Sequence, residues 1–208
     1  GGALALFAGA PATATAGVTI APEVAIDPTR RAVRLRLDAV RVPDDARLDA
    51  AGHDALSVWR DVHRLGWVLL AAEAVGAAEA ILARTRTYAS ERIQFGRPIG
   101  SFQAVKHPLV NVMLAVEQAR SLVLAAAAAL DACAAQPARA EVAARMAKAA
   151  AGDALRFAAD RGVQLHGGFG FTWDCDAHFF VKRGLSTSAT LGDGLHHRRH
   201  LAATLPGC

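Results

Sequence analysis

From about residue 54 onward the apolar positions recur with a period near 3.6, the spacing of one helix face. The pattern predicts long helices over residues 56–89, 101–131 and 139–164, then shorter ones over 175–187 and 194–203. Ala134, Ala135, Gln136 and Pro137 separate the second helix from the third. A helix of about 30 residues reaches roughly 45 Å, which suits an up-and-down bundle. Before residue 48 the period is two instead. Residues 4–7, 18–24 and 32–42 read as strands, with a turn at Asp27-Pro28-Thr29-Arg30. Three strands alone make a sheet with raw edges and an uncovered face. The expected architecture is mainly α: an up-and-down four-helix bundle at residues 49–208, preceded by part of an antiparallel β-domain at residues 1–48.

Composition narrows the classes without naming one. Of the 208 residues, 53% are hydrophobic and 20% charged, enough for a sizeable core and unlike a disordered tail. Ala-rich runs such as 125–129 keep helical spacing and read as close-packed helix faces. The net charge is +4 and the pI about 9.4. Nearly all the positive charge is arginine scattered along the chain, without a basic run or interleaved aromatics, so nucleic-acid binding is not expected. Cys133, Cys175 and Cys208 form no Cys-x-x-Cys pair, which fits a reducing, cytoplasmic setting. The apolar opening has no basic leader and meets Gly9 and Pro11 early; a buried strand is expected there, not a membrane span. The chain opens without methionine, so a piece of a longer polypeptide is expected.

Two polar segments interrupt the helical pattern. Residues 91–103 read Glu-Arg-Ile-Gln-Phe-Gly-Arg-Pro-Ile-Gly-Ser-Phe-Gln, with Gly96, Pro98 and Gly100 breaking the helix. Arg92 ends one helix and Gln103 starts the next. A guanidinium at such a corner offers a fixed fork of donors to a phosphate, although an arginine there can equally cap a carboxylate or a helix end. The second segment is Gln164-Leu165-His166-Gly167-Gly168-Phe169-Gly170-Phe171, whose paired glycines let backbone approach a ligand or simply stop a helix.

Together these segments resemble the acyl-CoA dehydrogenase family. The strand from Leu35 to Pro43, the helix from Arg64 to Ala78 and the closing stretch from Gly192 to Arg198 are similar to that family in the same order. The resemblance implies FAD as cofactor, held across a subunit interface. It implies contacts from Arg92, Gln94, Phe95 and Gln103 at the corner, with Arg92 at the pyrophosphate. It also implies contacts from Gln164, Leu165, His166, Gly167 and Gly168 at the turn, His166 taking part through its backbone. An acyl-CoA substrate, an electron-transfer-flavoprotein type of acceptor and a place in fatty acid or lipid metabolism are implied too.

The family's proton acceptor is where this chain departs. It usually lies in a Tyr-Glu-Gly-Thr stretch, and the matching residues are Thr190, Leu191, Gly192 and Asp193. Leu191 therefore stands in the glutamate position. A branch of the family carries the glutamate in a Leu-Glu-Arg stretch on the first long helix; here those positions are Leu65, Gly66 and Trp67. No catalytic residue is assigned, with Asp193 as a displaced candidate. The expectation is a subunit that lacks the base and completes the FAD site of a partner, in a homo-oligomer or with a base-bearing paralogue. A FAD-free scaffold and a self-sufficient dehydrogenase are the alternatives. His196 and His200 are spaced i,i+4 as metal ligands can be, but without a fitting third ligand. A solvated C-terminal helix whose cations suit its dipole is expected instead.

Overall fold

The structure is a computed structural model that describes residues 16–47 and 54–204. The expected strand at residues 4–7 and the expected boundary near residue 48 lie outside the described residues. The chain divides between His63 and Arg64 into two compact units.

In the first unit, β1 (Val18–Glu23) pairs antiparallel with β2 (Ala32–Leu37), Val18 opposite Leu37 and Glu23 opposite Ala32. The turn between them is built by Asp27, a buried carboxylate whose Oδ1 accepts from Thr29 N at 2.9 Å and from Thr29 Oγ1. β2 is shorter than the alternation through residue 42 predicts. Asp38 N still donates to Gly17 O, but Ala39 then turns left-handed (φ 49°) and ends the pairing. Val33, Leu35 and Leu37 share one face by the two-residue repeat and are exposed, so the sheet has an apolar face uncovered among the described residues.

The helices are α1 (Ala55–Glu91), α2 (Gln103–Asp131), α3 (Pro137–His166), α4 (Ala177–Ala189) and α5 (Gly194–Ala202). Contacts set their directions. Arg64, early in α1, reaches Cys133 just past α2 and Glu141 at the start of α3. Tyr88 at the other end of α1 stacks on His166, the last residue of α3. Arg84 pairs with Asp176 just before α4, while Lys148 bonds the end of α4. The four helices therefore run up, down, up, down, as the pattern predicts.

Small side chains let these helices close up. Ala71, Ala74 and Ala78 of α1 meet Ala144, Ala147, Ala151, Ala154 and Ala158 of α3 in one core with Ile81, Val112, Val116 and Leu155. Gly162 marks a tight crossing, since a Cβ there would lie 2.6 Å from Ile81 Cγ1. Of the alanine run at 125–129 only Ala126 is fully buried; the close-packed alanine faces are mainly those of α1 and α3. By length and composition α1 and α2 could each cross a membrane. One face of each lies in the core, while Leu69 on α1 and Val110, Met113, Leu114 and Leu124 on α2 stay exposed.

Candidate functional site

The corner between α1 and α2 is a miniature hairpin. β3 (Ile93–Gln94) pairs antiparallel with β4 (Arg97–Pro98), Ile93 facing Pro98 and Gln94 facing Arg97. Its two tip residues, Phe95 (φ 52°) and Gly96 (φ 75°), are both left-handed, the geometry of a type I′ turn that matches strand twist. Arg92 closes the last turn of α1 through N to Tyr88 O at 2.8 Å, and its own carbonyl accepts from Ile99 N at 2.8 Å. Gly100 lets the returning chain pass α1, because a Cβ there would sit 2.9 Å from Ala89 O.

The end of α3 faces this corner. Tyr88, Arg92, Gln94 and Ile99 from one side, with Gln164, Leu165, His166, Gly167, Gly168 and Phe169 from the other, line a cleft of about 560 Å³. Two distant segments predicted to share a ligand thus share one cavity. Phe95 and Gln103 are not among its lining residues. Phe95 points to solvent, 91% exposed, with its ring 6.1 Å from that of Phe102. Gln103 is exposed at the start of α2. Tyr88, Ile99 and Phe169 also line the cleft, beyond the residues expected there; an aromatic one helical turn before Arg92 is the signal in the sequence.

The cleft suits an anionic ligand with an extended backbone-facing edge. Among the described residues the Arg92 side chain makes no hydrogen bond or ion pair, so its donors are free for a phosphate. His166 is already engaged: its ring is buried, bonds Gly162 O through Nδ1 at 2.7 Å, and stacks on Tyr88 at 4.4 Å. The glycines divide by role. Gly167 has a left-handed φ of 63°, and a Cβ on Gly170 would strike Val163 O at 2.8 Å. Gly168 has ordinary φ and nothing within 4 Å of a Cβ position, so the fold itself gives no reason for a glycine there. Its bare backbone borders the cleft.

In the N-terminal half of α3 a second polar group is buried. Trp67 of α1 donates from Nε1 to Leu191 O at 2.9 Å. Lys148 is 2% exposed and donates from Nζ to Thr187 O at 3.0 Å, Ser188 O at 3.2 Å and Gly192 O at 3.0 Å. Arg145 lies 4.2 Å over the Trp67 ring, donates from Nε and Nη2 to Glu141, and reaches His197 Nδ1 at 3.4 Å. His197 packs edge-on against Trp67 at 5.1 Å.

These surroundings shift the titrating groups. Burial lowers Lys148 to about 8, against the opposing charge of Asp193. Burial, with the charges of Lys148, Arg145 and His196, lowers His197 to about 4, opposed by Gly192 backbone. Burial alone would raise Glu141, yet the hydrogen bonds and charges of Arg145 and Arg64 bring it below the usual carboxylate value. The C-terminal helix is therefore not solvated throughout, as its cationic composition predicts. His196 and His200 are exposed with rings 4.7 Å apart, whereas His197 is fully buried. Lys148 falls on the stripe of Ala140, Ala144, Ala147 and Ala151, the sequence signal that it is buried.

The two positions considered for a proton acceptor meet here. A Cβ on Gly66 would lie 2.7 Å from Leu191 Cδ1. Leu191 is itself left-handed (φ 57°), a conformation costing roughly 1–2 kcal/mol for a residue with a Cβ. Asp193 is the N-cap of α5; its Oδ1 accepts from His196 N at 2.7 Å, and that bond lowers its pKa.

Comparison with known proteins gives the family and the fold. The family described as "Acyl-CoA dehydrogenase, C-terminal domain" matches residues 64–205. The chain belongs to the acyl-CoA dehydrogenase family. "Acyl-CoA dehydrogenase IpdE2" of Mycobacterium tuberculosis is 40% identical over 164 residues, 78% of this chain and 44% of that protein. The ChsE4-ChsE5 complex from the same organism superposes with a TM-score of 0.81 at 27% identity, covering 94% of this chain and 52% of that one. Butyryl-CoA dehydrogenase from Megasphaera elsdenii gives 0.80 at 27% identity, covering 91% and 49%. The chain spans less than half the length of the curated IpdE2 relative.

Proposed function

We propose that the chain is an FAD-binding acyl-CoA dehydrogenase subunit that lacks the catalytic base and completes the flavin site of a partner carrying one. The observation behind this reading is the contact between Gly66 and Leu191. The two places where the family puts its glutamate adjoin, and neither has a group able to take a proton. Asp193 holds the N-terminus of α5 instead. The exposed apolar residues of α1 and α2 support an assembly with another subunit.

In this reading Arg92 binds the pyrophosphate, the bare Gly167-Gly168 backbone approaches the adenosine diphosphate end, and Tyr88 and His166 wall the cleft. When bound, FAD supplies the hydride acceptor for α,β-dehydrogenation of an acyl-CoA thioester. The chain's own share is to bind and orient; proton abstraction belongs to the partner's carboxylate. Electrons would pass to an electron-transfer-flavoprotein type of acceptor, and the setting would be cytoplasmic.

The test is to assay the chain alone, and co-expressed with a longer base-bearing paralogue, using octanoyl-CoA and a dye acceptor. Turnover only in the mixed complex, with flavin absorbance, is expected. A colourless complex would mean a scaffold, and turnover by the chain alone would mean an unrecognised base.

A further inference from the structure

The turn that carries Leu191 is held from two sides. Thr187 and Ser188 lie in the last turn of α4, whose carbonyls have no partner within their own helix. Lys148, from the middle of α3, supplies donors to both and a third to Gly192 O. Trp67, from α1, takes the intervening Leu191 O. Two buried side chains on two helices thus satisfy four carbonyls within six residues. The indole is fixed in its turn by Arg145 stacked on one face and His197 against it edge-on. A left-handed leucine does not hold this position by local preference. Something must hold it, and what it is held against is Gly66, whose missing Cβ leaves room for Leu191 Cδ1.

We infer that Trp67 and Lys148 form a two-point clamp that holds the half-exposed Leu191 over Gly66, so that its side chain covers this chain's own acyl end. Naming that place the acyl end rests on the function proposed above; the clamp itself rests on the four carbonyl contacts. Trp67 and Lys148 are then positioning residues. They act on the backbone of the turn, not on a substrate.

Amide hydrogen exchange, followed by mass spectrometry on the full chain with any partner that copurifies, tests this. Trp67→Phe keeps an aromatic ring, though a smaller one, and removes the N–H. Lys148→Ala leaves three carbonyls around an empty space, and Lys148→Met fills that space without charge. In each variant the peptide covering residues 187–197 should lose protection by about tenfold or more, with α2 peptides unchanged. Ammonium chloride should restore protection to Lys148→Ala, but not to Lys148→Met, and tetramethylammonium chloride should restore neither. A role in packing alone would not respond to a small cation. Unchanged protection in both Trp67→Phe and Lys148→Ala overturns the clamp and leaves the base-free reading standing. So does a folded Lys148→Ala that ammonium fails to restore. If Lys148→Ala does not fold even with ammonium, Trp67→Phe decides. Turnover of octanoyl-CoA by this chain alone overturns the closed acyl end together with the base-free reading.

Discussion

His197→Phe isolates the effect of one buried imidazole on acid stability. His197 is fully buried and its pKa is lowered from 6.5 to about 4. A value depressed on folding means that the unfolded chain takes the proton first. The neutral ring's contribution is therefore fully present above about pH 6.5, is lost as pH falls toward 4, and levels off below. Linkage gives a loss of about 1.4 kcal/mol by pH 5.5 and about 2.5 kcal/mol by pH 4.5. Other groups titrate in the same window, Glu141 among them, so the wild type alone cannot isolate the effect. Phenylalanine keeps a ring edge against Trp67 and removes the titration. Urea denaturation of both proteins at pH 7.5, 5.5 and 4.5 gives the stability difference, wild type minus variant. That difference should fall by the amounts above as pH falls. A difference constant to about 0.5 kcal/mol across the series would show that the imidazole is not held neutral by burial.

Arg92→Ala should cut flavin affinity by about ten- to over a hundredfold, from the loss of a charge-assisted contact of roughly 1.5–3 kcal/mol. Arg92→Lys should recover only part, because an ammonium lacks the planar fork; bound flavin per subunit with melting controls decides. Gly168→Val should leave the melting temperature within a few degrees of wild type while lowering flavin content, since the position is crowded by nothing in the fold. An equal flavin content would remove that turn from the site. Gly162→Ala should destabilise by about 1–3 kcal/mol through overpacking against Ile81, measured by urea titration. Asp193→Asn should keep the α5 cap through its amide oxygen and leave turnover of a mixed complex unchanged; a large loss of activity would restore Asp193 as a base.

The helices could be read from the chain because amphipathic spacing and helix-breaking residues agree along it. Gly96, Pro98 and Gly100 stop the pattern between α1 and α2, and Pro137 opens α3 at its first helical position. The end of β2 was hidden, since nothing in an alanine announces that Ala39 will turn left-handed. The corner between α1 and α2 was half visible. Arg92, Gln94 and residues 164–168 meet in one cleft, but whether Phe95 and Gln103 line it depends on a hairpin tip whose direction no local pattern specifies. The buried charges were the least legible. The alanine stripe of α3 marks Lys148 as buried, but not its partners, which are known only once the carbonyls at the end of α4 converge on it.

The length of α3 has a consequence for how such a chain can change through its history. Lys148 and His166 lie eighteen residues apart on one uninterrupted helix, roughly 27 Å at 1.5 Å per residue. Substitutions that far apart, with no shared partner, act independently. The end that would handle the thioester can therefore drift without disturbing the end that would grip a dinucleotide. A duplicated copy could shed one trade by single substitutions and stay under selection for the other. Division of labour between two subunits needs no new architecture, only a rod long enough to keep the two crafts apart.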